Sequence, residues 1–174
     1  MPLSNNTLAV MALCNEYCRA IQSVASGEVT GDDDTSARDA FVSSMLRLLP
    51  RLYIAANDIP ESIDDTDAYI ADALDEDTYD AMRRAIEELL GADDTYLEVF
   101  HQDMKYSDTP IAASISEGLC DIFQSTYNYL QTIRDDATDE VVDAATEALR
   151  ADFVQYWSGI LCNVLRALNA LRAD

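Results

Sequence analysis

The last third of the chain sets the strongest constraint on its fold. Between Val141 and Leu171, the residues Val142, Leu149, Phe153, Trp157, Ile160, Leu161, Val164, Leu168 and Leu171 recur three and four positions apart. That spacing collects them on one face of an α-helix. A face so wide and so apolar has to be covered by partner helices. The pattern predicts one long helix over 139–172 and an all-α protein.

The covering helices are visible upstream. Val10, Leu13, Cys14, Tyr17, Ile21 and Val24 predict a helix over 6–26, with Ser4, Asn5 and Asn6 suited to cap it and Gly27 to end it. Ala37, Phe41, Met45, Leu48, Leu52 and Ala55 predict a second over 36–57. Pro50 falls inside that pattern, on the outer side by helical rotation. There it bends the helix around the core, with a break at Leu49 as the alternative. Met82, Ala85, Ile86, Leu89 and Leu90 predict a helix over 78–90, capped by Asp77 and stopped by Gly91. Ile115, Leu119, Ile122, Phe123, Thr126, Leu130 and Ile133 predict another over 114–134, and Thr138 caps the last helix. Asp58 to Asp77 reads as a loop followed by a short, weak helix over 66–74; residues 93–100 read as a helical turn or two, and His101 to Pro110 as a polar loop. No stretch alternates with period two over a useful length, so no sheet is expected. The reading is a single domain over 1–174, an antiparallel helical bundle of about five main helices plus short helical turns.

Composition bounds the function. The 174 residues are 49% hydrophobic, enough for a real core. There are 33 acidic residues against 11 basic ones, a formal charge of −22, and Lys105 is the only lysine. Such a surface repels phosphate backbones and anionic lipid heads, so neither nucleic acid nor membrane is expected as a partner. It would attract a basic partner or a divalent cation. The acidity also keeps a protein soluble, and it fits either salt adaptation or a composition bias. Met1 to Val10 lacks a basic leader and no apolar run reaches membrane-spanning length, so a cytoplasmic location is expected. Cys14, Cys18, Cys120 and Cys162 all fall inside predicted helices, where reduced thiols pack as small hydrophobes.

Catalytic signals are sparse. His101 is the only histidine, which excludes two-histidine metal motifs and leaves a serine triad without its G-x-S-x-G. There is no phosphate-cradling loop, and Asp32, Asp33 and Asp34 lack the spacing of a calcium loop. No cofactor and no metal is expected. Glu117 and Asp121 lie one turn apart, but the helical wheel sets them opposite Leu119 and Phe123, on a solvated face. Arg150 is different, because it shares the stripe of Phe153, Trp157 and Val164. Asp143 lies near that side two turns earlier, and Arg134 leans the same way. Such a charge either forms a half-buried salt bridge between helices or, with Arg134, holds an anionic ligand or a partner's carboxylate. Paired inside the bundle, Arg150→Ala would cost about 3 kcal/mol or more. Nine tyrosines complete the inventory; Tyr53, Tyr127, Tyr129 and Tyr156 fall at the edges of helical faces, as at the rim of a core or of a protein-binding groove.

Three segments carry a resemblance: Thr95-Tyr96-Leu97-Glu98-Val99-Phe100, then Ser114-Ile115-Ser116-Glu117-Gly118-Leu119-Cys120-Asp121-Ile122-Phe123, then Phe153 with Trp157-Ser158-Gly159 and Leu165-Arg166-Ala167-Leu168. Together they resemble a bacterial helical family, the domain of unknown function DUF5063, over roughly 8–172. That family shows a Y-W-x-V-F-D-P box, an S-L-x-D-D-L-x-D-I-Y box and a terminal H-W-G…A-L-R-A-L helix. Leu97 stands here for the tryptophan, His101 for the aspartate after the phenylalanine, Glu117-Gly118 for the paired aspartates, and Tyr156 for the histidine. The resemblance implies an all-helical fold and supplies no activity. The expectation is a non-enzymatic protein-interaction module or adaptor, with Arg150, Arg134, Asp143, Trp157, Tyr96 and Tyr127 as candidate ligand or partner residues. The alternatives are a small-ligand-binding or hydrolytic bundle that uses Arg134, Arg150 and nearby carboxylates, and a chaperone-like binder of a precursor protein.

Overall fold

The computed structural model describes residues 3–62, 67–98, 105–106 and 108–172. Its helices are α1 (Asn5–Ala25), α2 (Ala37–Asn57), α3 (Glu76–Leu90), α4 (Ile115–Asp135), α5 (Asp139–Asp152) and α6 (Ser158–Asn169). A tight 3-10 turn, Gly91–Asp94, follows α3 and leads into a hairpin of β1 (Thr95–Glu98) and β2 (Ile111–Ser114). The fold is mostly α, as the periodicity requires.

Local chemistry sets the ends. Ser4, Ser36, Asp75 and Ser114 each accept a hydrogen bond from a backbone N–H in the first turn of the helix they precede, which satisfies a donor the helix cannot. Asp75, not Asp77, is therefore the cap of α3, which starts at Glu76. Gly91, at φ 59°, closes α3 in a conformation that side chains rarely adopt. Thr138 holds the cap position of α5 without a side-chain bond; its own N–H instead donates to Asp136 Oδ1 at 3.1 Å.

Helix α4 is the central rod. It packs against α1, α3, α5 and α6, and twelve of its 21 residues are buried. The Tyr17 hydroxyl, fully buried on α1, donates to the Leu119 carbonyl at 2.6 Å. Gly118 lets α6 approach: a Cβ there would lie 2.5 Å from Val164 Cγ1 and 3.2 Å from Ile160 Cγ2. At the start of α4, the buried Asp94 carboxylate accepts from the Ser116 N–H, the Ser116 hydroxyl and the Ser114 hydroxyl at 2.7, 2.7 and 2.8 Å. A carboxylate at a helix N-terminus suits the dipole, and this one ties the 3-10 turn to the bundle.

Four expectations are corrected. The hairpin is a sheet, antiparallel in register Thr95↔Ser114 to Glu98↔Ile111, where none was expected. Its inward positions on β1 are Tyr96 and Glu98, while Leu97 is 62% exposed, so hydropathy does not alternate along the strand. Residues 67–74 form an extended strap instead of a weak helix (Thr66 lies outside the described residues). Its amides bond to other elements: Tyr69 N–H to the Ala144 carbonyl, Ala71 N–H to Thr132 Oγ1, and the Ala73 and Leu74 N–H groups to Asn128 Oδ1. The last helix is not uniform: Phe153–Trp157 forms one π turn, closed by Ser158 N–H to the Phe153 carbonyl. Finally, Cys162 is exposed, although Cys14, Cys18 and Cys120 are buried as expected. Helix α2 runs through Pro50 without the break at Leu49. No helix among the described residues is long and apolar enough to cross a membrane.

Candidate functional site: an arginine-rimmed groove

Helices α2 and α6 pack side by side and leave an open groove of about 870 Å³ between their outer flanks. Val42, Leu46 and Pro50 from α2 and Leu165 from α6 line it with apolar surface. Because proline has no N–H, the Leu46 carbonyl lacks its usual helical donor, so a backbone acceptor sits beside this lining. Arg47, Arg166 and Arg172, all exposed, edge the groove, together with exposed Cys162. Asp39 lies on the same groove, but Arg38 Nη1 binds its Oδ1 at 2.8 Å, and Arg38 also pairs with Asp93.

A second polar cluster covers the flank of α4. Tyr79 donates to Asp121 Oδ1 at 2.7 Å, and Tyr156 donates to Oδ2 at 3.2 Å. Burial first, and then the Asp121 carboxylate, push both phenols up, Tyr156 to about 12. Nearby, Glu98 Oε1 accepts from Tyr96 and from Asn163 Nδ2, both at 3.1 Å, which joins β1 to α6. Ser125 donates to Asp152 at 2.5 Å. These carboxylates act as latches between elements. The expectation that Glu117 and Asp121 share a solvated face therefore holds for exposed Glu117 and fails for Asp121, which the phenols of α3 and the π turn partly cover. Among the described residues, no group of three or more His, Cys, Asp or Glu side chains is placed to hold a metal ion.

The residues singled out from sequence do not converge. Arg150 is 25% exposed and reaches Glu61 and Glu147, both at 3.8 Å, so it is a rim ion pair. Arg134 and Asp143 are exposed. Trp157 is fully buried, edge-on to Phe153 at 4.6 Å, and its Nε1–H has no hydrogen-bond partner among the described residues. Tyr127 is half-buried against Phe123. Tyr129, expected at a rim, is wholly buried, with its hydroxyl 3.1 Å from Thr146 Oγ1. Sequence reasoning missed the groove because it assigned one inner face to each helix. The available signal was Leu46-Arg47 and Leu165-Arg166, apolar–basic pairs just off the main stripes.

The three resembling segments, in contrast, do meet. β1 touches α6 through Glu98 and Asn163, α4 touches the π turn through Asp121 and Tyr156, and Gly118 admits Val164. No curated protein matches the sequence. The crystal structure of protein BF1032 from Bacteroides fragilis has a similar fold, with a TM-score of 0.77 at 21% identity over 98% of this chain and 94% of that one. A family profile, that of a domain of unknown function, DUF5063, matches residues 2–174. The chain therefore belongs to the DUF5063 family.

Proposed function

We propose that the chain is a non-catalytic protein-interaction module of the cytoplasm and that the α2–α6 groove is its binding surface. The observation that carries this reading is an open, apolar-floored groove edged by three arginines on a chain of net charge −22. Apolar surface ringed by polar groups is where partners dock. The inward-turned carboxylates support the non-catalytic part, since Asp94, Asp121 and Glu98 are each engaged in holding two elements together. Four unpaired cysteines fit a reducing compartment.

Photo-cross-linking tests it. Benzoylphenylalanine in place of Leu46 should trap a protein in host cells, and the same group in place of Ala81, exposed on α3, should not. The trapped protein, once purified, should bind the wild-type chain and lose binding to Leu46→Glu. Equal trapping from both positions, or binding indifferent to Leu46→Glu, would refute the reading.

A further inference from the structure

We infer that the groove is built for an amphipathic helix whose apolar stripe is flanked by aspartate and glutamate. This rests on the reading of the groove as a protein-binding surface and adds the chemistry of its occupant. Length is the first argument. The lining runs from Asp39 to Pro50 on α2 and from Cys162 to Asn169 on α6, with Arg172 just past the end of that helix. At the 1.5 Å rise of a helix, the α2 flank is about 16 Å long and the α6 flank about 10 Å, room for two to three turns of a docked helix. The floor is the second: half-buried Leu46, Pro50 and Leu165, with Val42 buried beneath, offer apolar contact to anchors spaced three and four apart.

Charge is the third argument and the deciding one. Arg38, Arg51, Arg83, Arg84 and Arg150 are engaged by the chain's own carboxylates. The groove gathers Arg47, Arg166 and Arg172, and among the described residues Arg47 and Arg172 have no ion-pair partner. The one carboxylate on the lining, Asp39, is turned to Arg38, which it shares with Asp93, so it is bound by the chain's own cation and only partly offset. A screening length of about 8 Å at physiological salt mutes the acidic remainder of the surface, so the nearest charges decide what docks. Guanidinium groups at contact distance favour carboxylates.

The test uses three fluorescein-labelled helical peptides with one leucine stripe and flanks of Glu, Gln or Lys, titrated by anisotropy at ~0.15 M salt. The Glu peptide should bind about tenfold tighter than the Gln peptide and tighter still than the Lys peptide. Arg47→Glu with Arg172→Glu should reverse the order of the Glu and Lys peptides; Arg47→Gln with Arg172→Gln, a milder pair, should erase it. Leu46→Glu should abolish binding of all three. If the Gln or Lys peptide binds wild type tightest and Leu46→Glu still abolishes it, the acidic partner is wrong and the protein-binding groove stands. If Leu46→Glu changes nothing, both readings fall. Laurate bound in the groove with no peptide bound would make it a pocket for a small amphiphile and overturn the inference.

Discussion

Two glycines on packed helices should respond to the same substitution with opposite signs. Gly118 lies on α4 and Gly159 on α6, and both have helical backbones without positive φ. Replacing glycine by alanine inside a helix gains about 0.5–1 kcal/mol, because alanine has less backbone entropy to lose. At Gly159 nothing lies within 4 Å of the new methyl, so Gly159→Ala should stabilise by about that amount. At Gly118 the methyl would meet Val164 Cγ1 at 2.5 Å and Ile160 Cγ2 at 3.2 Å. Val164 is fully buried and branched at Cβ, so it cannot swing aside without colliding elsewhere. Overpacking of this kind costs about 1–3 kcal/mol. The propensity gain is common to both variants and cancels in their difference, which isolates the steric cost. Urea unfolding followed through the buried Trp157, the only tryptophan, gives both values. Gly118→Ala and Gly159→Ala of equal stability, within about 0.5 kcal/mol, would refute the close approach of α4 and α6.

Three further outcomes follow from the same structure. Of the four thiols only Cys162 should react quickly with a disulfide reagent in the native state, and Cys14, Cys18 and Cys120 should react only on unfolding; two or more fast thiols would contradict the packing. Stability should decline as pH is raised from about 8.5 towards 12. The reason is that burial pushes Cys18, Cys120 and Tyr156 up to about 12, so the folded chain retains protons that the unfolded chain has released; a flat or rising profile of urea midpoints would count against it. Arg150→Ala should cost less than about 1 kcal/mol, the range of partly exposed ion pairs. A loss near 3 kcal/mol in the same urea assay would restore the inward-facing pair that the sequence pattern suggested.

How far the chain could be read in advance follows from where its periodicity was simple. Helices α1, α2, α3 and α4 bury one dominant stripe, and their spans match the three-and-four pattern to within a residue or two. The last helix carried its own irregularity in plain view. Leu149, Phe153, Trp157 and Leu161 are buried at three successive spacings of four, and each step of four overshoots an α-helical turn by about 40°. A π turn at 153–157 absorbs that drift and keeps the stripe on the core. The hairpin and the strap were not legible, because their backbones are satisfied by partners remote in sequence. Asn128 and Thr132 serve the strap from α4, while Glu98 of β1 turns inward to accept from Asn163 on α6. The candidate site was least legible of all. Arg134 and Arg150 drew attention by lying on or near a stripe, whereas Arg47, Arg166 and Arg172 belong to secondary faces that come together only when α2 packs on α6.

Amide chemical-shift mapping of the labelled chain during titration with the Glu-flanked helical peptide tests the central claim most directly. Shifts concentrated in residues 39–50 and 162–172, saturating with one peptide, are the result the groove requires. Shifts centred on Tyr79, Asp121 and Tyr156, or none at saturating peptide, would contradict it.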